Sequence, residues 1–133
     1  MLCCSNWLLL TSAPGEVHTL GLSIVSEFFM RAGWDVDAHF LPAEPVARQV
    51  QTTWYDVVGF SLAATMHLEA LTQTVAAVRR ASRNPQVTIV VGGPAVAHHP
   101  ALLAPVQADL LLSDAALAPD QVAQFLAARR HVN

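Results

Sequence analysis

Residues Trp7 to Pro14 read WLLLTSAP, and the next seven, Gly15 to Gly21, read GEVHTLG. A short apolar run therefore ends in a Pro-Gly loop and gives way to residues of helical period. Asn6 to Thr11 reads as a buried strand. Thr19 to Ala32 reads as a helix, in which Leu20, Ile24, Phe28 and Met30–Arg31 fall near the helical spacing and Gly33 supplies the stop. A strand that feeds a helix through a tight loop is the first half of a β–α–β unit, so the question for the rest of the chain is whether the unit repeats.

It does. Trp34 to Phe40 alternates apolar and polar residues, as an edge or second strand would. Pro42 and Pro45 mark a loop, and Val46 to Thr52 is a short helix. Tyr55 to Leu62 (YDVVGFSL) is a third strand, Leu68 to Ser82 a helix with Leu71, Val75 and Val78 on one face, and Val87 to Val91 a β-branched strand closed by Gly92-Gly93-Pro94. Ala108 to Leu112 is a last strand and Pro119 to Arg130 a last helix. Five strands that alternate with helices predict an α/β fold: a five-stranded, mainly parallel sheet with helices on both faces. Right-handed crossovers leave the flavodoxin-like order 2-1-3-4-5 as the simplest topology, in one domain over residues 1–133.

Composition removes several function classes. Hydrophobic residues are 53% of the chain and charged residues 13%, which argues against disorder. The net charge is −3 and no basic run occurs, so direct nucleic-acid binding is not expected. No apolar run reaches the roughly 18 residues of a membrane span. The N-terminus MLCCSNWLLL lacks the basic start of a signal peptide, and the adjacent pair Cys3-Cys4 is poorly placed to bridge, so a reduced, cytoplasmic protein is expected. The chain contains no lysine, which disfavours Schiff-base chemistry, a P-loop and a phospho-receiver site.

In sheets of this kind ligands bind outside the carboxyl ends of the strands. GEVHTLG, FSLAATMH, VGGPAVAHH and LLSDAA all fall there. His18 is the sharpest candidate, because an imidazole on such a loop can bind a metal through one nitrogen while Glu16 takes the proton on the other. The alternative is that Glu16 or Thr19 merely caps the first helix. Gly92-Gly93 lets a ligand approach the backbone, or is a plain turn. His39, His67, His98, His99 and His131 show no zinc-site spacing.

Taken together, E-V-H-T-L-G after the first strand, VVGFSLAAT after the third, VTIVVGGPAV and ADLLLSDAALA resemble the cobalamin-binding domain family over nearly the whole chain. That family carries D-x-H-x-x-G, then a serine-and-leucine motif, then Gly-Gly. The resemblance implies that His18 is the metal residue, replacing the cofactor's own base beneath cobalt, with Glu16 as its relay and Gly21 as a packing position. It implies that Ser61, Leu62, Gly92 and Gly93 line a slot for the nucleotide tail, with Thr65 and His67 among the cofactor-binding residues. The chain departs from the pattern at Glu16, where aspartate is usual. It departs again at the S-x-L motif, which reads Phe60-Ser61-Leu62 in one register and Ser61-Leu62-Ala63 in the other. In the second register His67 stands where methionine synthase-like members carry a serine coupled to the relay. Phe60 is expected to crowd the slot.

Methyltransferase-type members add a helical cap above the corrin, for which there is no room before a strand that starts near residue 6. The departures resemble most the sensory branch of purple-bacterial antirepressor proteins, described as taking haem or cobalamin. The first expectation is thus a non-enzymatic tetrapyrrole sensor, cobalamin or alternatively haem, which signals light or redox state by contact with a protein such as a transcriptional repressor. The second is the corrinoid subunit of a mutase or methyltransferase, working with a barrel enzyme subunit. The third is a degenerate domain that serves only as an interaction module.

Overall fold

The computed structural model describes residues 6–16, 20–39 and 45–132; Cys3, Cys4, His18, Thr19, Phe40 and Pro42 lie outside them. Strands β1 (Trp7–Ser12), β2 (Asp35–His39), β3 (Val57–Ser61), β4 (Thr88–Gly92) and β5 (Leu110–Leu112) form one sheet in the order β2-β1-β3-β4-β5. All four pairings are parallel. The sequence-based topology holds, and the physical reason is visible in the burial. The central strands β1, β3 and β4 are covered on both faces and carry near-continuous apolar residues, whereas β2, DVDAH, is half-buried along its length as an edge strand is.

Helices α1 (Leu20–Arg31) and α5 (Ala118–Val132) cover one face, where Leu8, Leu10, Leu22, Phe29, Trp34 and Val122 make one core. Helices α2 (Val46–Thr52) and α3 (Leu68–Ala81) cover the other, where Leu9, Val58, Phe60, Leu71, Val75 and Ile89 make the second. Three elements go beyond the sequence reading: a 3₁₀ turn at Thr65–His67, α4 (Pro94–His98) and a 3₁₀ segment at Pro100–Val106. Pro94 at the first helical position turns the Gly-Gly-Pro stop into a helix start. Among the described residues no helix is long and apolar enough to cross a membrane.

In α1 the helix is where the periodicity puts it, but the stripe is not. The buried positions are Leu22, Ser26 and Phe29, while Leu20, Ile24 and Met30 are exposed. Strand β3 also starts two residues later than Tyr55. The Asp56 carboxylate accepts the Trp7 backbone N–H at 2.8 Å, which ends the ladder there, and Tyr55 turns into the core.

The Tyr55 hydroxyl donates to Asp37 Oδ2 at 2.5 Å and accepts from Gln49 Nε2 at 2.9 Å, joining β2 to α2. Burial, with the Asp37 bond adding to it, pushes the Tyr55 pKa up to about 12. In the unfolded chain the phenol ionises near pH 10. Between those values the unfolded state has shed a proton that the folded state keeps, so this group's stabilisation is full below pH 10 and lost as pH rises through about 12. Tyr55→Phe is expected to flatten the alkaline fall of stability in urea melts taken from pH 8 to 12, and to cost about 1 kcal/mol at neutral pH.

Candidate functional site

Strand β1 ends at Ser12, and the chain is held to β3 for one residue more, where the Ala13 N–H donates to the Ser61 carbonyl at 2.9 Å. The loop then turns: the Glu16 N–H donates to the Ala13 carbonyl at 3.1 Å. Gly15 sits at φ +90°, and a Cβ there would lie 2.7 Å from His67 Nδ1, so the imidazole rests directly on the glycine. Positive φ and the close approach both demand glycine.

Glu16 is buried, and its carboxylate reaches across to the segment after β3. Oε1 accepts the Ala63 N–H at 2.8 Å and Oε2 accepts the Ala64 N–H at 3.1 Å. Ala64 precedes the Thr65–His67 turn, so Glu16 satisfies, from the β1 loop, N–H groups that a turn normally leaves to a local cap. His67 Nε2 stands 3.9 Å from Glu16 Oε2, beyond hydrogen-bond range but in electrostatic contact. The loops after β1 and β3 are thereby pinned together at the point where the connections diverge to opposite faces, the place where this topology binds ligands.

Beside that junction, on the α1/α5 face, a cavity of about 290 Å³ opens at the carboxyl ends of the strands. The parallel register arranges its sheet wall in two rows. Ser12, Ser61, Gly92 and Leu112 are in register at the mouth, and Leu10, Gly59 and Val90 are in register two residues deeper. Gly21, Leu22, Ile24 and Val25 from α1, with Ala115 just before α5 and Ala118 at its start, form the facing wall. The cavity explains Ile24, which looks misplaced for a core helix and faces the cavity rather than the sheet.

Three glycines shape this site in different ways. A Cβ on Gly21 would meet nothing within 4 Å, so its absence leaves room in the cavity wall. A Cβ on Gly59 would lie 2.8 Å from Leu10 Cδ2 and 3.2 Å from Val90 Cγ2, so these two side chains close over the glycine and make the floor. Gly93 has φ +105°, and a Cβ there would strike the Leu62 carbonyl oxygen at 2.6 Å.

Of the residues singled out in the sequence, Gly21, Ser61, Gly92 and Gly93 line the cavity. Glu16 and His67 come together at its side. Leu62 does not line it; it is fully buried in the opposite core and contributes its backbone, whose N–H donates to the Gly92 carbonyl and whose carbonyl accepts the Ala95 N–H. The expectation that Phe60 crowds the slot is corrected for the same reason. Phe60 is among the residues that line the cavity, but alternation in β3 sends its ring to the α2/α3 core, so the ring does not fill the slot, and Gly59 and Ser61 are the β3 residues on the slot face. Thr65 is exposed at the start of the 3₁₀ turn. His18 lies outside the described residues, two positions beyond Glu16. Among the described residues no cluster of three His, Cys, Asp or Glu side chains is placed to hold a metal.

Sequence reasoning missed Gly59, Val90, Leu22, Ala118 and Ser12. A glycine inside the apolar run VVGFS was the available signal for Gly59, since it marks a close approach in a strand. Ser12 gives none in sequence, yet its Oγ is buried without a hydrogen-bond partner among the described residues.

A family profile described as "B12 binding domain" matches residues 6–123. The chain belongs to the B12-binding domain family. Among solved structures, this B12-binding domain is similar to a novel cobalamin-binding protein from Desulfitobacterium hafniense DCB-2, at 20% identity and a TM-score of 0.78, over 90% of this chain and 58% of that one. It is similar to the monomethylamine corrinoid protein of Methanosarcina barkeri at 14% identity and a TM-score of 0.72, over 90% and 57%. A putative pilus assembly-related protein from Burkholderia pseudomallei K96243 matches at 15% identity and 0.60, over 90% and 87%. At these identities the likeness is one of fold, and the chain spans less than two thirds of the first two. No curated protein matches the chain at a significant level.

Proposed function

We propose that this B12-binding domain carries cobalamin with the nucleotide tail in the cavity of the α1/α5 face and the His18 imidazole beneath cobalt, and presents it to a protein partner. The observation that carries the reading is the cavity itself: about 290 Å³, open at the strand ends, beside the loop that holds Glu16 and runs on to His18. The residues fit the group. Gly21 leaves space in the cavity wall that a side chain would fill, and Ser61 in the mouth row would present its hydroxyl to a polar tail. Haem has no such tail and would leave the cavity unused, which favours cobalamin. When bound, cobalamin would supply a cobalt centre whose upper ligand is exchangeable or photolabile. The protein's part would be to hold the tail, through Ser61, Gly92 and Gly93, and to present His18 from a loop that Glu16 fixes.

The sensory role expected from the sequence rests on transmission through that loop: a change in the axial bond would shift the segment that Glu16 and His67 anchor, and a partner such as a transcriptional repressor would read it. Leu20, Met66 and Leu117, 75%, 81% and 51% exposed at the strand-end face, supply the apolar surface such a contact needs. A second reading, the corrinoid component of a methyltransferase, is favoured by the likeness to the monomethylamine corrinoid protein.

Titration with hydroxocobalamin and, separately, haemin, followed by visible absorbance, tests the binding. Hydroxocobalamin is expected to bind with its own base displaced, and His18→Ala to lose the histidine-ligated spectrum. A spectrum unaltered in His18→Ala would remove His18 from cobalt, and binding of haemin alone would remove cobalamin. Light-dependent affinity for a repressor supports the sensor; turnover on adding a barrel subunit supports the enzyme component.

A further inference from the structure

A second cavity, of about 300 Å³, lies at the opposite pole of the sheet, at the amino ends of β3 and β4. Its walls include Trp54 and Asp56 before β3, Pro85 before β4, and Leu126, Arg129 and Arg130 toward the end of α5. It shares no lining residue with the cavity at the carboxyl ends of the strands.

Arg129 gives this cavity its character. Its Nη1 donates to the Gln86 carbonyl at 3.0 Å and to Thr88 Oγ1 at 2.6 Å, and its guanidinium carbon stands 5.4 Å from the centre of the Phe125 ring. An arginine that served only the helix dipole would turn to the last carbonyls of α5, whereas this one is bonded across to β4. All three contacts are with uncharged groups, so the charge is held in place without being neutralised. Among the described residues no carboxylate comes within ion-pair distance of Arg129 or Arg130. Asp56, in the same wall, is engaged elsewhere: Oδ2 accepts the Trp7 N–H at 2.8 Å and Oδ1 accepts the Trp54 indole N–H at 3.5 Å. The Trp54 ring is thereby tethered, yet 46% exposed. Behind it, the buried Asn84 donates from Nδ2 to the Tyr55 carbonyl at 3.0 Å and accepts the Gln86 N–H through Oδ1 at 3.0 Å, which fixes the turn before β4.

We propose that this cavity binds a small organic carboxylate with an aromatic body. Two arginines against one aspartate leave the lining with one net positive charge, which suits a monoanion. The guanidinium N–H groups not engaged with β4 match a carboxylate, and a guanidinium already fixed in place loses little freedom on binding it. Trp54, Pro85 and Leu126 supply the apolar surface for the ring.

Benzoate, benzamide and acetate are the probes, titrated into the wild-type chain at constant ionic strength. Proton–nitrogen correlation spectra follow the three tryptophan indole signals, with Trp54→Phe assigning one of them. Benzoate is expected to shift the Trp54 signal and to bind about tenfold tighter than benzamide, which lacks the charge, and than acetate, which lacks the ring. Arg129→Gln is expected to bring benzoate down to the affinity of benzamide. That variant also loses the bonds to Gln86 and Thr88, so Arg130→Gln, at an exposed residue, repeats the test with those bonds in place and is expected to weaken benzoate several-fold while leaving benzamide unchanged. A Trp54 signal unmoved by benzoate at its solubility limit would overturn the site. Equal affinity for benzoate and benzamide would remove the arginines as a carboxylate clamp, and equal affinity for benzoate and acetate would remove the aromatic body; either result overturns the proposal.

Discussion

Gly93→Ala is expected to lower the melting temperature by about 10 °C and to abolish tight corrinoid binding. The new Cβ would sit 2.6 Å from the Leu62 carbonyl oxygen and 3.0 Å from its nitrogen, and the residue would be held at φ +105°. The backbone cost of that conformation is about 1–2 kcal/mol and the overpacking a further 1–3 kcal/mol. Neither side can yield cheaply. The Leu62 N–H donates to the Gly92 carbonyl at 2.9 Å and the Leu62 carbonyl accepts the Ala95 N–H at 3.1 Å, so moving Leu62 away breaks the junction of β3 with α4. A loss of about 3 kcal/mol is a large part of the stability of a domain this size. Gly21→Ala is the matched comparison. Its Cβ meets nothing within 4 Å and it stands in a helix, so melting is expected to be unchanged or slightly higher while cobalamin affinity falls. If Gly93→Ala melts with the wild type, the close approach of Gly93 to Leu62 is not what the fold depends on.

The fold was legible because parallel strands leave a strong trace. Buried on both faces, VVGFS and TIVVG need no polar residues, and only the edge strand DVDAH alternates. Which face each residue serves was harder to read. A continuous apolar run does not say that Phe60 belongs to one core and Gly59 to the cavity opposite; the register with Leu10 and Val90 says so. The α1 stripe was misread for a related reason. A helix beside a cavity has apolar residues with no core to enter, so Ile24 lines the cavity and remains exposed while Leu22 and Phe29 are buried. The glycine pair was legible as a place of close approach, and Gly92 and Gly93 line the cavity. The partners of Glu16 were not, because both are backbone N–H groups and backbone has no sequence signature.

Those partners make Glu16→Ala the second large effect. Removing the carboxylate strips two charge-assisted acceptors from Ala63 and Ala64, and a loss of about 2–4 kcal/mol is expected in thermal or urea melts. Glu16→Gln keeps the volume but turns one acceptor into an NH₂ group facing an N–H donor, so it is expected to lose about half as much. Glu16→Asp is the informative case. Aspartate is one methylene shorter, and the Glu16 carboxylate spans from the β1 loop to two consecutive N–H groups beyond β3, so the shorter side chain is expected to keep one bond at most. The glutamate that departs from the family's aspartate is thus the residue that ties the two loops, and His18 is two residues further along the chain. If the tie also sets the imidazole, all three substitutions will lower the histidine-ligated fraction of bound cobalamin in the order Ala, then Gln and Asp. His67→Ala removes the 3.9 Å contact with Glu16 and the packing of the ring on Gly15 but leaves both Glu16 hydrogen bonds, so it is expected to change it less. A Glu16→Ala chain that melts with the wild type and keeps the full histidine-ligated spectrum would show that the two loops hold His18 without Glu16.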